Sequence, residues 1–244
     1  GDLVGVGVIV DSCHQCAPCD QGQEQFCEAG MTTAYNSPDP ILGGVTYGGY
    51  STDIVVDHQS VLRVSERLDT KAAAPLLCAG ITTYAPLKRF NVQAGDKVGI
   101  VGLGGLDHMG VKFAVAMGAH VVMITSSQKK AADAKRLGAH EVLISTDDEA
   151  MQQQANSFDL LLNTIPAEHD FSCYMNLLKI NKTMIVVGIA ALKMHSSCLI
   201  FGQKQVVGSL IGGIPETQEM LDFCAEHTIT SDIELIDIQD INQA

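Results

Sequence analysis

Hydrophobic positions follow two regimes along the chain. From about residue 85 to 228, short apolar runs alternate with stretches whose apolar residues recur at helical spacing. Val98 to Val101 reads as a buried strand, followed by a glycine turn, a helix from about Met109 to Met117 and a second strand from Val121 to Thr125. Next, "KKAADAKRLGAH" predicts a polar-faced helix closed at Gly138, "EVLIS" a strand and "DDEAMQQQ" a short helix. "FDLLLNTI" predicts a strand, "FSCYMNLLK" a helix, and "TMIVVGI" and "QVVGSLIGG" two more strands. "PETQEMLDFCAEH" predicts an amphipathic helix with Pro215 in its first turn. Residues before this region form short β-rich pieces with many glycines, among which "YGGYSTDIVV" predicts a strand. The pattern predicts an α/β fold: a doubly wound parallel sheet over 85–228, preceded by part of a separate β-rich domain. No internal repeat is evident.

Composition narrows the function classes. The 244 residues are 46% hydrophobic, enough for a real core, and the 18% that are charged form no low-complexity tract. A formal net charge of -13 argues against a nucleic-acid surface, because phosphate binding needs clustered Lys and Arg. No apolar run approaches the roughly 18 residues of a membrane span. The opening "GDLVGVGVIVDSC" lacks a basic leader and cleavage site. The expectation is a soluble, cytoplasmic protein with neither nucleic-acid nor membrane partners.

Cysteine spacing adds the first chemistry. Cys13, Cys16, Cys19 and Cys27 stand at C-x2-C-x2-C-x7-C. Two-residue spacings are too tight for comfortable disulfides between these thiols, but a short turn can aim successive sulfurs at one point. Four thiolates close a tetrahedral shell and suit a structural zinc; an iron–sulfur cluster is the competing metal reading. A redox C-x-x-C would sit near a helix start in a β-α context, which this stretch does not resemble. A metal-held lobe of free thiols implies a reducing compartment. Cys173 and Cys224 lie in helical patterns and read as core thiols, as does Cys198 by default. Periodicity alone would also make Cys78, in "AAAPLLCAGITTY", a core residue.

The turn after the first buried strand carries the second chemistry. In "KVGIVGLGGLDHMGVKFAVAMGAHVVMITSSQKK", Gly102 turns the chain and Gly104 lets backbone approach a pyrophosphate. A strand before and a helix after make this a strong dinucleotide signature. The third fingerprint position, normally glycine, is Asp107. A carboxylate there can cap the helix, but it also places negative charge close to a bound pyrophosphate. At the end of the second strand an NAD site usually has Asp or Glu. Here "TSSQKK" supplies Ser126, Ser127 and Lys130, groups that suit a 2′-phosphate and favour NADP.

With these parts in place, the whole chain resembles the zinc-containing medium-chain alcohol dehydrogenases, in the branch of cinnamyl alcohol dehydrogenases and bacterial aldehyde reductases. The resemblance rests on the four-cysteine lobe, "GGYS" at 48–51, "CAGITTY" at 78–84, "GLGG" at 102–105 and "IGGIPETQEMLDFC" at 211–224. It implies a partial GroES-like catalytic domain over 1–84, an NADP-binding Rossmann domain over 85–228, and a return toward the catalytic domain over 229–244. The implied reaction is hydride transfer between NADP(H) and an alcohol/aldehyde pair, with zinc as Lewis acid. Cys13, Cys16, Cys19 and Cys27 match the structural zinc shell, and Cys78 matches a ligand of the catalytic zinc. Thr82 matches a contact to the nicotinamide end. Gly102, Gly104, Gly105 and Leu106 match the pyrophosphate turn, and Ser126, Ser127 and Lys130 the 2′-phosphate pocket. Thr164, Gly188, Ser209 and Ile211 match further coenzyme contacts at strand ends. The family's other catalytic zinc ligands come from a segment upstream of where this sequence starts, and its closing elements lie beyond "IQDINQA". His108 and His14 read as structural rather than metal ligands. A non-catalytic zinc- and nucleotide-binding protein is therefore the rival expectation. A homodimer through the coenzyme domain is expected by resemblance.

Overall fold

A computed structural model describes residues 1–102 and 104–243. Leu103 of the "GLGG" turn and Ala244 lie outside the described residues.

The centre of the molecule is a six-stranded parallel sheet built from β1 (Lys97–Val101), β2 (His120–Thr125), β3 (Glu141–Ile144), β4 (Phe158–Asn163), β5 (Leu178–Val186) and β6 (Gln205–Gly208). The strands lie side by side in the order β3-β2-β1-β4-β5-β6. The chain thus builds outward from β1 in one direction, then returns and builds outward in the other. The reversal leaves a crevice between the carboxyl ends of β1 and β4, where doubly wound sheets bind ligands. In β1, Val98, Ile100 and Val101 are fully buried, as expected of a strand covered on both faces.

Five longer helices flank the sheet or complete its core: α1 (Ala79–Arg89), α2 (Gly105–Ala116), α3 (Ala131–Arg136), α4 (Asp148–Gln153) and α5 (Ile214–His227). On one face α1, α2 and α5 meet around Tyr84, whose ring lies 5.3 Å from Phe113 and 5.4 Å from Phe223 between centroids. On the other, Phe158, Phe171, Met175 and Leu178 form a second apolar cluster. These aromatic and aliphatic contacts remove side chains from water on both sides of the sheet.

The preceding β-rich part consists of short antiparallel pairs. Val4–Val6 pairs with Val61–Arg63, Ile9–Asp11 with Thr32–Thr33, and Tyr35–Pro38 with Val45–Tyr47. The cysteine lobe projects from these pairs and docks on the start of α5. Glu24 accepts the Ile214 N–H at 2.9 Å, a carboxylate at a helix N-terminus. Gln218 of α5 exchanges two hydrogen bonds with the backbone of Arg63, at 2.8 and 3.1 Å.

Four sequence expectations need correction. "YGGYSTDIVV" forms no strand beyond Tyr47; Ile54 and Val55 are exposed, with no strand pairing to them among the described residues. The helix after the glycine turn starts at Gly105, not near Met109, because Gly104 itself is the N-cap. The helix expected around "FSCYMNLLK" shrinks to Ser172–Met175, since β5 already begins at Leu178. Lys179, Asn181 and Lys182 gave that strand's start a polar look. Finally, Cys173 is exposed rather than a core thiol, whereas Cys224 is fully buried.

Candidate functional site

Two turns and a four-residue helix bring the lobe cysteines together. Pro18 opens the helix Ala17–Asp20, and the backbone folds so that Cys13, Cys16, Cys19 and Cys27 place their sulfurs within 4.8 Å of one another. The Cys13–Cys19 and Cys16–Cys19 sulfur pairs are 4.0 and 3.4 Å apart. Four sulfurs around one zinc at ~2.3 Å would stand about 3.8 Å apart, so the donor set fits that ion. Backbone amides supply an outer layer: Cys13 N–H donates to Cys27 Sγ and Glu28 N–H to Cys16 Sγ, each at 3.4 Å. Desolvation, together with bonds to Cys16 and Cys27, pushes the Cys19 thiol up to about 11. A divalent cation among the sulfurs reverses that balance by favouring thiolate. His14 turns outward instead, with Nε2 3.0 Å from Asp11 Oδ1.

The remaining predicted residues line the carboxyl edge of the sheet, with one group on α1. Gly102 ends β1 at φ +121°, a conformation that favours glycine. Gly104 caps the twelve-residue α2, whose first turn contains Gly105 and half-buried Leu106. Ser126 and Ser127 follow β2, where Ser127 accepts the Lys130 N–H at 3.1 Å. Lys130 shares a groove of about 320 Å³ with Gly104, Gly105 and His108. The fold thus brings the glycine turn and the predicted 2′-phosphate cation to one opening. The same groove includes Asp232, which sits against Lys112 and Arg136.

Further along the edge, buried Thr164 follows β4, and its backbone N–H donates to Val101 O at 3.2 Å. Gly188 follows β5 and packs directly against the carbonyl of Ile165, leaving no room for a Cβ. Ser209 N–H donates to Val186 O at 3.1 Å, and Ile211 is held at φ +28°. A β-branched residue rarely adopts positive φ, and such outliers concentrate at functional sites.

Asp107 occupies the crevice itself. The residue is 4% exposed, and its carboxylate accepts the Gly104 N–H at 2.6 Å and the Thr164 hydroxyl. Desolvation pushes its carboxyl above the usual range, against the opposing pull of Thr164, Gly104 and Lys130.

Cys78 and Thr82 lie apart from the cysteine cage, at the start of α1. The Thr82 hydroxyl donates to Cys78 O at 2.7 Å. Cys78 is exposed, and burial of its surroundings raises its thiol. Among the described residues, the only cluster of three or more His, Cys, Asp or Glu suited to one ion is the four-cysteine set. Cys78 therefore has no such companions there. Two hollows larger than the Lys130 groove also lie elsewhere. A cleft of about 420 Å³ in the β-rich part involves Ile41, Tyr47 and Val55, and a groove of about 1140 Å³ runs by Lys179, Lys182 and Phe201.

Sequence reasoning missed Glu24, which fastens the lobe to α5, and Asp232, which binds two helices of the coenzyme side. Glu24 is only a spacer within the cysteine motif, and Asp232 stands in no motif. Only the excess of acids in sequences otherwise read as loops hinted at them.

Comparison with known proteins adds a consistent set of likenesses. The zinc-binding dehydrogenase family matches residues 105–226. The chain is 52% identical over 249 residues to the aldehyde reductase YahK of Escherichia coli, covering 100% of this chain and 71% of that protein. It is 49% identical over 247 residues to NADP-dependent alcohol dehydrogenase C 1 of Mycolicibacterium smegmatis, covering 100% and 70%. Among solved structures, cinnamyl alcohol dehydrogenase from Sorghum bicolor superposes with a TM-score of 0.96 at 41% identity, covering 100% of this chain and 70% of that one. CAD from Helicobacter pylori complexed with NADP(H) gives 0.92 at 42%, with coverage of 100% and 70%.

Proposed function

This chain belongs to the zinc-binding dehydrogenases, and from that premise we propose that it transfers a hydride between NADP(H) and an alcohol/aldehyde pair, chiefly as an aldehyde reductase. The observation that carries the reading is the meeting of Gly104, Gly105 and Lys130 in one groove at the N-terminal end of α2, where the glycine turn leaves β1. NADP(H), when bound, supplies or accepts the hydride.

Gly102, Gly104, Gly105 and Leu106 hold the pyrophosphate at the positive end of α2. Ser126, Ser127 and Lys130 take the 2′-phosphate through hydroxyl bonds and an ammonium charge. Thr82 orients the nicotinamide end, and Thr164, Gly188, Ser209 and Ile211 shape the rest of the cradle. Zinc in the cage of Cys13, Cys16, Cys19 and Cys27 has no open position and serves stability. Cys78 offers a single thiolate toward a carbonyl-polarising zinc. Catalytic sites use about three protein ligands, so no step through that metal follows from the described residues.

In this reading residues 1–84 form the GroES-like part, 85–228 the coenzyme domain and 229–244 the return segment, with α1 crossing the first join. A cytoplasmic location accompanies the free-thiol metal lobe. Pairing into a homodimer is proposed with it, and exposed Ile180 and Phe201, which share one groove, offer an apolar contact for it.

Steady-state kinetics on an aldehyde with NADPH and NADH test the assignment. NADPH should be preferred by roughly a hundredfold in kcat/KM. A clear NADH preference would refute the roles of Ser126, Ser127 and Lys130. The second reading is a zinc- and nucleotide-binding protein without catalysis, toward which the carboxylate of Asp107 in the pyrophosphate turn points. Tight NADPH binding with no turnover would establish it.

A further inference from the structure

We infer that Asp107 is an internal anion built into the pyrophosphate turn, and that it sets how loosely this chain holds its dinucleotide. The inference rests on the proposed coenzyme site. A dinucleotide turn normally has glycine at this third position, so that helix and strand can close on each other. Here a carboxylate fills that space. A Cβ built on Gly102 would fall 2.6 Å from Asp107 Oδ1, so the side chain lies against the turn's own backbone.

The groups it engages are those a ligand would meet. Gly104 N–H, at the second fingerprint glycine, already donates to Asp107 Oδ2 at 2.6 Å. The Thr164 hydroxyl, across the crevice at the end of β4, donates to Oδ1. An ionised carboxylate thus finds a donor at each oxygen, the Gly104 N–H at Oδ2 and the Thr164 hydroxyl at Oδ1. The N-terminus of α2 and the nearby charge of Lys130 therefore already serve an anion belonging to the protein. A pyrophosphate approaching that turn meets a like charge in a water-poor crevice, where repulsion is weakly screened.

Direct binding separates this from alternatives. NADPH fluorescence titrations on the zinc-loaded protein would compare the parent with Asp107→Gly, Asp107→Asn and Lys130→Ala, each checked for an intact thermal transition. Asp107→Gly should lower Kd by roughly tenfold or more, and Asp107→Asn by less, because it keeps the shape without the charge. The gap should narrow as salt is added. Equal affinities for the parent and both Asp107 variants, with weakening only in Lys130→Ala, would overturn the inference and leave the site reading intact. If Asp107→Gly does not fold, Asp107→Asn alone decides on the same terms. No NADPH binding by any of these proteins would overturn both.

Discussion

Lys130 illustrates how one side chain can carry a cofactor preference. Its backbone is fixed in a short helical turn after β2 by the bond to Ser127, and its groove opens beside Gly104 and Gly105. In the proposed function this lysine pairs with the 2′-phosphate of NADP, a group that NAD lacks. Replacing it with alanine should remove one charge-assisted contact, on the order of 1.5–3 kcal/mol. Lys130→Ala is thus expected to raise KM for NADPH by roughly tenfold or more and leave KM for NADH nearly unchanged. Parallel kinetics with the two coenzymes check it; an equal loss with both would mean a structural role. The position of the lysine and its two serines just after β2 was legible in the sequence, because an apolar strand precedes them at a fixed distance from the glycines. The bond from Thr164 to Asp107 was not, since it joins residues 57 apart through the order of the strands.

At the scale of elements, the β-α alternation was readable throughout the coenzyme side, because buried parallel strands leave continuous apolar runs. Errors fell where polarity and pairing diverge. β5 begins within a polar stretch, and "YGGYSTDIVV" has strand-like residues but no partner strand among those described. Alternation reports a face, not a neighbour. The cysteine lobe was legible for the opposite reason: metal geometry is local and its spacing is written in sequence. Cys16→Ser removes one sulfur from the cage and is expected to lose bound zinc and cost on the order of 3 kcal/mol or more. Zinc analysis with thermal melting checks this. Normal zinc content in that variant would refute the cage.

On the scale of the whole molecule, Asp232 joins the segment after α5 to the coenzyme side, pairing with Lys112 of α2 and Arg136 of α3. Its bonds to Lys112 and then Arg136 hold its carboxyl down to about 2, from an ordinary 3.8. A folded value below the unfolded one means that this stabilisation is complete above about pH 4 and is lost as pH falls through about 2. The side chain is 38% exposed, so screening leaves about 0.5–1 kcal/mol. Asp232→Asn should therefore lower the urea midpoint at pH 7 and leave it unchanged near pH 2. A deficit that persists in acid would assign the effect to packing instead.

The seam between lobe and helix has a dynamic consequence. Gly213 abuts the carbonyl of Gly22 so closely that it admits no Cβ, a Cβ on Gly22 would meet the Pro215 ring, and Glu24 closes the same junction. Such a joint cannot loosen by degrees; it is engaged or it is open. Removing metal from the lobe would then be felt as faster amide exchange at Ile214, in a helix that contributes none of the four lobe cysteines. The cage would act as a remote clasp on the local opening of the coenzyme side.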